Sequence, residues 1–547
     1  MDLQSTLEKC GNFGPYQITL LVLYGYSNIL SSLHYFSQSI ISFTPSHRCS
    51  PPKEDFPRNS TYSTSLLTCS VIQYNEDLSS LRDYKCTSWD FERESNYESV
   101  TTEENFRPKL EWVCDDAYKL AVGQSFFFIG SALGTIFFGY LADRIGRLPA
   151  CVLSTLTGAS GDFFTSFVGS LPWFCFTRFI SGLSMDTQYV LMYILVFEYL
   201  SPQHRTFGLN IVLGIFYCIG LVISPWMAIW LGNWRSYLWA ASLPALGTLL
   251  FPVFLHESAE WLLTKGEFDK AVRNLKSVAK FNGRQVDDSV FDEFIKHYRE
   301  KLKNSQNKSS DTFMGMLRTP RLRKFTVILF IKSMIVAMAF DILSRNVEGV
   351  GISPFKLFSY SGLCYLPAGL TIILFQNKIG RKGMACASLF VGAIITAVTG
   401  YLIATLDPAD YSILLGFMVC LGRYGGVVAY DSETQYAAEI IPTSVRGRGV
   451  ANIHVVGNGF AFFSSYVIYL GTFYRPLPSL LISFVLLIGS GLCLTLPETL
   501  NKQLPQTLDE GEVFAKGEKW YFFPCFSRRQ QTNCSASQLE SANKITK

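Results

Sequence analysis

Charge is scarce in this chain of 547 residues: Asp, Glu, Lys and Arg make up 16% of it, against about a quarter in soluble domains. That deficit sets aside a soluble globular class. No sign of charge dominates, and the net value of +4 says little about partners, because placement matters more than sum; no nucleic-acid partner is expected. A phosphate-cradling G-x-x-x-x-G-K-[ST] loop is missing, so primary ATP-driven pumping lacks support and an enzyme is not expected. The six His are dispersed, and no His/Cys cluster suggests a metal site; no metal, catalytic residue or cofactor is assigned. The opening "MDLQSTLEKCGNFG" has neither a basic region nor a small-residue cleavage site, and is not read as a removable signal peptide.

What the chain has instead is apolar length. Hydrophobic residues make up 49% and aromatics 15%, gathered in runs of about 20 residues, enough to cross a hydrocarbon core of roughly 30 Å. Twelve spans are expected, near 16–41, 119–142, 149–168, 172–199, 208–231, 236–255, 323–344, 353–376, 384–405, 411–436, 447–471 and 476–496. The fold class is thus an all-α polytopic membrane protein.

Basic residues orient it. Arg144 and Arg147, Arg205, Lys378 with Arg381 and Lys382, and Arg446 with Arg448 fall in alternate short loops, and the long basic segment after His256 shares their side. By the positive-inside rule both termini are cytoplasmic. The segment 44–118 becomes an extracellular loop holding Cys49, Cys69, Cys86 and Cys114 and the sequon at Asn59. A disulfide-stapled, glycosylated loop follows, with three pairings open.

The sequence repeats itself. Glu198, Pro202 and Arg205 after span four answer Glu439, Pro442 and Arg446 after span ten, the two Glu lying 241 residues apart. Glu257 after span six and Glu498 after span twelve are also 241 apart, and "DRIGR" after span two matches "NKIGR" after span eight through Gly146 and Gly380. The chain therefore divides into an N-terminus 1–15, a six-helix half 16–255, a cytoplasmic linker 256–322, a second six-helix half 323–496 and a tail 497–547. Parallel repeats are a transporter architecture, with substrate between the halves and alternating access by rocking. In "GYLADRIGR", Gly139 is expected to permit close packing and Gly146 a sharp reversal. Asp143 is placed near a neighbouring helix terminus, and Arg144 and Arg147 at the inner surface.

These motifs resemble the major facilitator superfamily, and within it the organic-ion solute carriers, which move organic cations, carnitine-like zwitterions and organic anions. "FTPSHRC", "CTSWDFE", "LEWVCD", "GYLADRIGR", "HESAEWLLTKG", "EIIPTSVRGRG" and "LPETLNKQLPQTL" carry the resemblance over nearly the whole chain. Asn377 departs from it where Asp is usual, as do Ala259 and Glu260 where Pro and Arg are usual. The resemblance implies that Glu198, Arg205, Glu439 and Arg446 form a cytoplasmic charge network that pairs across the halves and breaks as the carrier changes state; Gly380, Arg381 and Glu498 are assigned with them to the gating framework. It also implies a multi-pass plasma-membrane protein with a small organic-ion substrate and a lipid bilayer as partners, the coupling ion (H+ or Na+) being open.

Polar residues inside spans mark function by default. The acids are Asp162, Asp186, Asp341, Asp431 and Glu433; the bases are Lys332 and Arg423. That balance favours an organic cation or the cationic end of a zwitterion. Relatives carry Lys at the place of Asp186, Gln at Asp341, a Glu at Tyr365, and Asp or Arg at Asn458, so charge selectivity does not transfer directly. Asp431 and Glu433 lie about 200° apart around a helix and cannot share one cavity; Asp431 is assigned to substrate and Glu433 to structure. Tyr189, Tyr217, Phe340 and Tyr365 are the aromatic candidates for cation–π contacts. The alternatives are an organic anion carrier using Lys332 or Arg423, and a non-transporting receptor or scaffold.

Overall fold

The computed structural model describes residues 3–45, 47–49, 63–66, 69–74, 81–86, 89–91, 97–102, 110, 112–305, 314–347, 349–500, 502, 504–516 and 518. A helix, whole or broken, stands at each expected span. Spans one to six are Pro15–Ile41, Tyr118–Ile145, Arg147–Thr165, Leu171–Tyr199, Pro202–Leu231 and Trp234–Phe254. Spans seven to twelve are Pro320–Arg345, Pro354–Ile379, Arg381–Thr405, Pro408–Ile440, Arg446–Thr472 and Leu477–Cys493. Nine helices among the described residues are long and apolar enough to cross a bilayer unaided; Pro15–Ile41, Arg147–Thr165 and Leu477–Cys493 fall outside that set.

The described part of the segment after span one holds short strands and one 3-10 turn, Cys114–Asp116. His47–Cys49 pairs antiparallel with Trp89–Phe91, and Ser63–Leu66, Ser70–Tyr74 and Leu81–Lys85 form a three-stranded meander. Disulfides join Cys49 to Cys86 and Cys69 to Cys114, which resolves the three-way choice. The all-α class thus holds for the spans and omits five short strands. The sequon at Asn59 lies outside the described residues.

Glycine sets the turns and the closest packing. Gly146 (φ +109°) and Gly380 (φ +97°) end spans two and eight and open the next ones, a backbone that side-chain-bearing residues rarely adopt. In span two, a Cβ at Gly130 would stand 2.2 Å from the Phe179 carbonyl oxygen, and one at Gly134 only 1.9 Å from that of Leu183. Small residues four apart let helix backbones meet where lipid supplies no hydrophobic drive. Span four is thereby pressed onto span two at the place where it breaks.

The halves meet along two seams, span two against span eleven and span five against span eight. Ser125 donates to the Phe462 carbonyl (3.2 Å) across one, and Ser359 to the Val222 carbonyl (3.1 Å) across the other.

Candidate substrate cavity

Four spans are interrupted; span six breaks at the 3-10 segment Leu243–Leu250, and the other three breaks each lie at or near a candidate residue. Span four breaks between Gly182 and Thr187, with Asp186 at the start of its second segment. Span eight breaks at Cys364, immediately before Tyr365. Span eleven breaks at Ala461, three residues past Asn458. Broken helices between repeats are where carriers place substrate. Asn458 Nδ2 donates to Asp186 Oδ2 at 2.8 Å and so ties the halves together. One turn earlier on span eleven, His454 Nδ1 lies 4.0 Å from the same carboxylate oxygen.

Aromatic rings from both halves wall this region. Tyr217 lies 5.5 Å from Tyr365, Phe340 6.3 Å from Tyr365 and 4.8 Å from Tyr430, and Tyr35 6.2 Å from Phe340. Tyr189 stands among Asp186, Tyr430 and Tyr217. One cation already uses the wall: the Arg423 guanidinium stacks on Phe36, Phe358 and Tyr365 at 5.2, 5.4 and 5.7 Å. Its Nη1 donates to the Ser344 carbonyl (2.9 Å) and Ser361 Oγ (3.2 Å), while Nε and Nη2 have no hydrogen-bond partner among the described residues. Tyr430 and His454 escaped the sequence reading. Their signals are positional, an aromatic directly before Asp431 and a titratable group one turn from Asn458.

The span acids divide sharply. Asp431 is exposed, beside Tyr365 and Tyr430, with no cation in ion-pair reach among the described residues. Glu433 is buried in an ion pair with Lys332. Asp162 is buried against Arg178, with His34 Nδ1 at 2.6 Å and Ser181 Oγ at 2.7 Å. Asp341 is buried at the end of the bundle remote from the basic loops. It accepts from Tyr35 Oη and Arg345 Nη1, each at 2.9 Å, and from Ser464 Oγ. Arg345 reaches on to Gln124 in the other half. Asp341 is thus the hub of a clasp between halves, with all its carboxylate contacts made by protein.

At the basic-loop end the repeat is exact in chemistry. Glu257 accepts from the amides of Arg147 (2.9 Å) and Leu148 (3.1 Å) at the start of span three. Glu498 accepts from the amide of Arg381 (2.9 Å) at the start of span nine. Each is a carboxylate at a helix N-terminus, where dipole and orphan amides favour it. Burial raises the Glu257 carboxyl above its ordinary range, although the amides of Ser258, Arg147 and Leu148 pull the other way. Arg147 pairs with Asp143 (2.8 Å) as Arg381 bonds Asn377 (2.6 Å). Glu439 accepts from Arg381 Nε (3.1 Å) and Thr499 (2.6 Å). Glu198 stands beside Ser258, the residue that corresponds to Thr499.

Two expectations are corrected at this end. Gly139 faces open space, with nothing within 4 Å of an added Cβ, so it permits no close packing; Gly130 and Gly134 do. Glu257, not Asp143, occupies the neighbouring helix terminus, because Asp143 points outward with a side chain 75% exposed. Arg144 lies over the Tyr140 ring at 4.7 Å. Arg446 Nε donates to the Ile441 carbonyl (3.3 Å). The Arg205 side chain lies outside the described residues. The ion pairs described here close within each half, since in this conformation the halves are clasped at the opposite end.

Two helical halves joined at seams, with broken helices and polar groups between them, define a membrane transporter of the secondary-carrier class. The profile of the Major Facilitator Superfamily matches residues 120–465, more than half of the chain, and the chain belongs to that superfamily. It is 26% identical over 551 residues to the organic cation transporter protein of Drosophila melanogaster, with 94% of this chain and 95% of the relative covered. The human organic cation/carnitine transporter 2 is 26% identical, with 96% and 97% covered. Human solute carrier family 22 member 7 is also 26% identical, with 94% and 96% covered. The partially occluded, inward open conformation of the xylose transporter XylE from E. coli superposes with a TM-score of 0.57 at 13% identity, covering 89% of this chain and 100% of that one. That likeness speaks to fold.

Proposed function

We propose that this protein carries organic cations, or carnitine-like zwitterions, across the plasma membrane by alternating access, with both termini and the linker 256–322 cytoplasmic. The observation that carries the reading is Asp431, an exposed carboxylate with no described cation partner, beside a wall of Tyr365, Tyr430, Phe340 and Tyr217. A carboxylate supplies charge and the rings supply cation–π contacts worth about 0.5–2 kcal/mol each. Asp186, Tyr189 and Asn458 complete the proposed site from the far seam. Clasped at the Asp341 end, the conformation faces the cytoplasm.

A second reading rests on Arg423, whose guanidinium lacks a described acidic partner and stacks on the same ring wall. It would serve an organic anion. Uptake of labelled tetraethylammonium, carnitine and p-aminohippurate into expressing cells separates the readings. Cation or carnitine uptake whose affinity is weakened by D431N supports the first; uptake of the anion alone, weakened by R423Q, replaces it with the second. Binding without flux into sealed vesicles would mark a receptor on a carrier fold.

A further inference from the structure

Four ionisable side chains from four spans cluster on the path between the halves: Asp186 (span four), Lys332 (span seven), Glu433 (span ten) and His454 (span eleven). Lys332 and Glu433 are closed on each other, with the Tyr436 ring 4.8 Å from the ammonium. A small crevice, lined by polar Ser333, Tyr430, Thr434, His454 and Asn458 and by apolar residues such as Val336 and Ile453, opens beside that pair; the half-buried His454 faces it, while Glu433 is buried at its wall. On the other side of His454, Nδ1 is 4.0 Å from Asp186 Oδ2, and Asn458 holds that carboxylate at 2.8 Å. Tyr189, Tyr217 and Tyr430 are the remaining titratable neighbours of Asp186. Among the described residues, His454 is therefore the one imidazole standing between a carboxylate of the first half and an ion pair of the second. Its surroundings carry two acids and one fixed base, a local charge of −1 that a single cation completes.

We propose that His454 is a proton-binding site that couples transport to the counterflow of one proton. This rests on the cation reading of the cavity above. A proton from crevice water adds to the imidazole and forms an N–H bond, giving an imidazolium that neutralises Asp186 and keeps the halves together. No electron moves, and the proton returns to water when the pair separates. A cationic substrate drawn in by Asp431 and seated against Asp186 meets the same Asp186 carboxylate that the imidazolium pairs with, so substrate and proton exclude each other there. Exclusion at one site reached alternately from two sides yields exchange: the organic cation enters as the proton leaves.

The full chain, reconstituted into sealed proteoliposomes with the membrane potential clamped, tests this with labelled tetraethylammonium as probe. An interior more acidic by about one pH unit should raise accumulation roughly tenfold over equal pH at one-for-one exchange. A pyranine reporter in the lumen should alkalinise as the probe enters. H454Q should bring the ratio of acid-lumen to equal-pH accumulation to about one, and abolish the pyranine signal. Wild-type flux that ignores the gradient and leaves pyranine unchanged overturns proton coupling while leaving the carrier reading intact. A gradient response surviving in H454Q overturns the assignment to His454. Absence of tetraethylammonium flux under every gradient takes down the organic-cation reading of the cavity and this one together. The wild-type pyranine measurement decides proton coupling even if H454Q fails to fold, and H454N, as a second variant, then tests the assignment to His454.

Discussion

Lys332 of span seven and Glu433 of span ten form an ion pair whose side chains are 1% and 6% exposed. Removing one partner leaves an uncompensated buried charge, which costs on the order of 3–5 kcal/mol, whereas replacing both with apolar groups is often neutral. K332M and E433L should each lower the unfolding temperature of the detergent-solubilised protein sharply and reduce surface expression. The double variant should recover most of that loss. Additive losses in the double variant would show that the pair is not closed on itself.

The clasp at the other end makes a conformational prediction. Tyr35 Oη donates to Asp341 at 2.9 Å across the seam, a bond worth about 0.5–1.5 kcal/mol net. Y35F should shift the balance roughly 2- to 10-fold toward the state open on the Asp341 side. A cysteine at Ala461, buried at 2% in the native seam, should then be labelled faster by a membrane-impermeant thiol reagent added outside. Unchanged labelling would mean that Arg345 and Gln124 hold the clasp without the phenol.

A third carboxylate caps a span from the tail. Glu512, in the short helix Leu508–Val513, accepts from the amides of Arg321 (3.0 and 3.1 Å) and Leu322 (2.9 Å) at the start of span seven. Desolvation pushes its carboxyl up, but the hydrogen bonds from Leu322, Arg321 and Thr319 with the Arg321 charge outweigh it and hold it below the ordinary range. A depressed carboxyl contributes stability that is present above its unfolded value and lost as pH falls through the folded one. The tail helix should therefore stay docked at neutral pH and become protease-sensitive below about pH 4, the ordinary Glu range. E512Q should be sensitive at both pH values. Equal protection of E512Q and wild type at pH 7 would remove the cap from the account.

The spans were legible because a bilayer imposes length, and about 20 apolar residues write themselves plainly into a sequence. Glu257 and Glu498 were legible as a pair because the repeat set them at one offset, though their role as amide caps needed the fold. What stayed hidden depends on contacts from several spans at once. Asp341 reads as a free acid until Tyr35, Arg345 and Ser464 arrive from three places in the chain. The small-residue pair Gly130 and Gly134 was visible as letters, but only the approach of Leu183 gives it meaning. The Glu–Arg network was expected to pair across the halves, and here its described bonds lie within them, since one sequence serves every state of a carrier and one structure holds a single state.

Asp431 is the residue on which selectivity turns. Among the five acids well inside the spans it is the exposed one, while Asp162, Asp186, Asp341 and Glu433 are buried against protein partners. A charge that answers no protein group is free to answer a substrate. Losing it should remove a Coulombic attraction of about 1–4 kcal/mol at 4 Å between the aqueous and surface-like dielectric limits. Hydrogen bonding in D431N and the remaining rings offset part of that, so the concentration for half-maximal tetraethylammonium uptake should rise about tenfold. Maximal rate and surface expression should change little, because no described partner is orphaned. Y365F, which keeps the ring, should leave cation affinity within about twofold, while Y365A should weaken it, as a cation–π contact requires. A carrier whose cation affinity ignores both D431N and Y365A binds its substrate somewhere else, and Asp186 with Tyr189 becomes the next place to substitute.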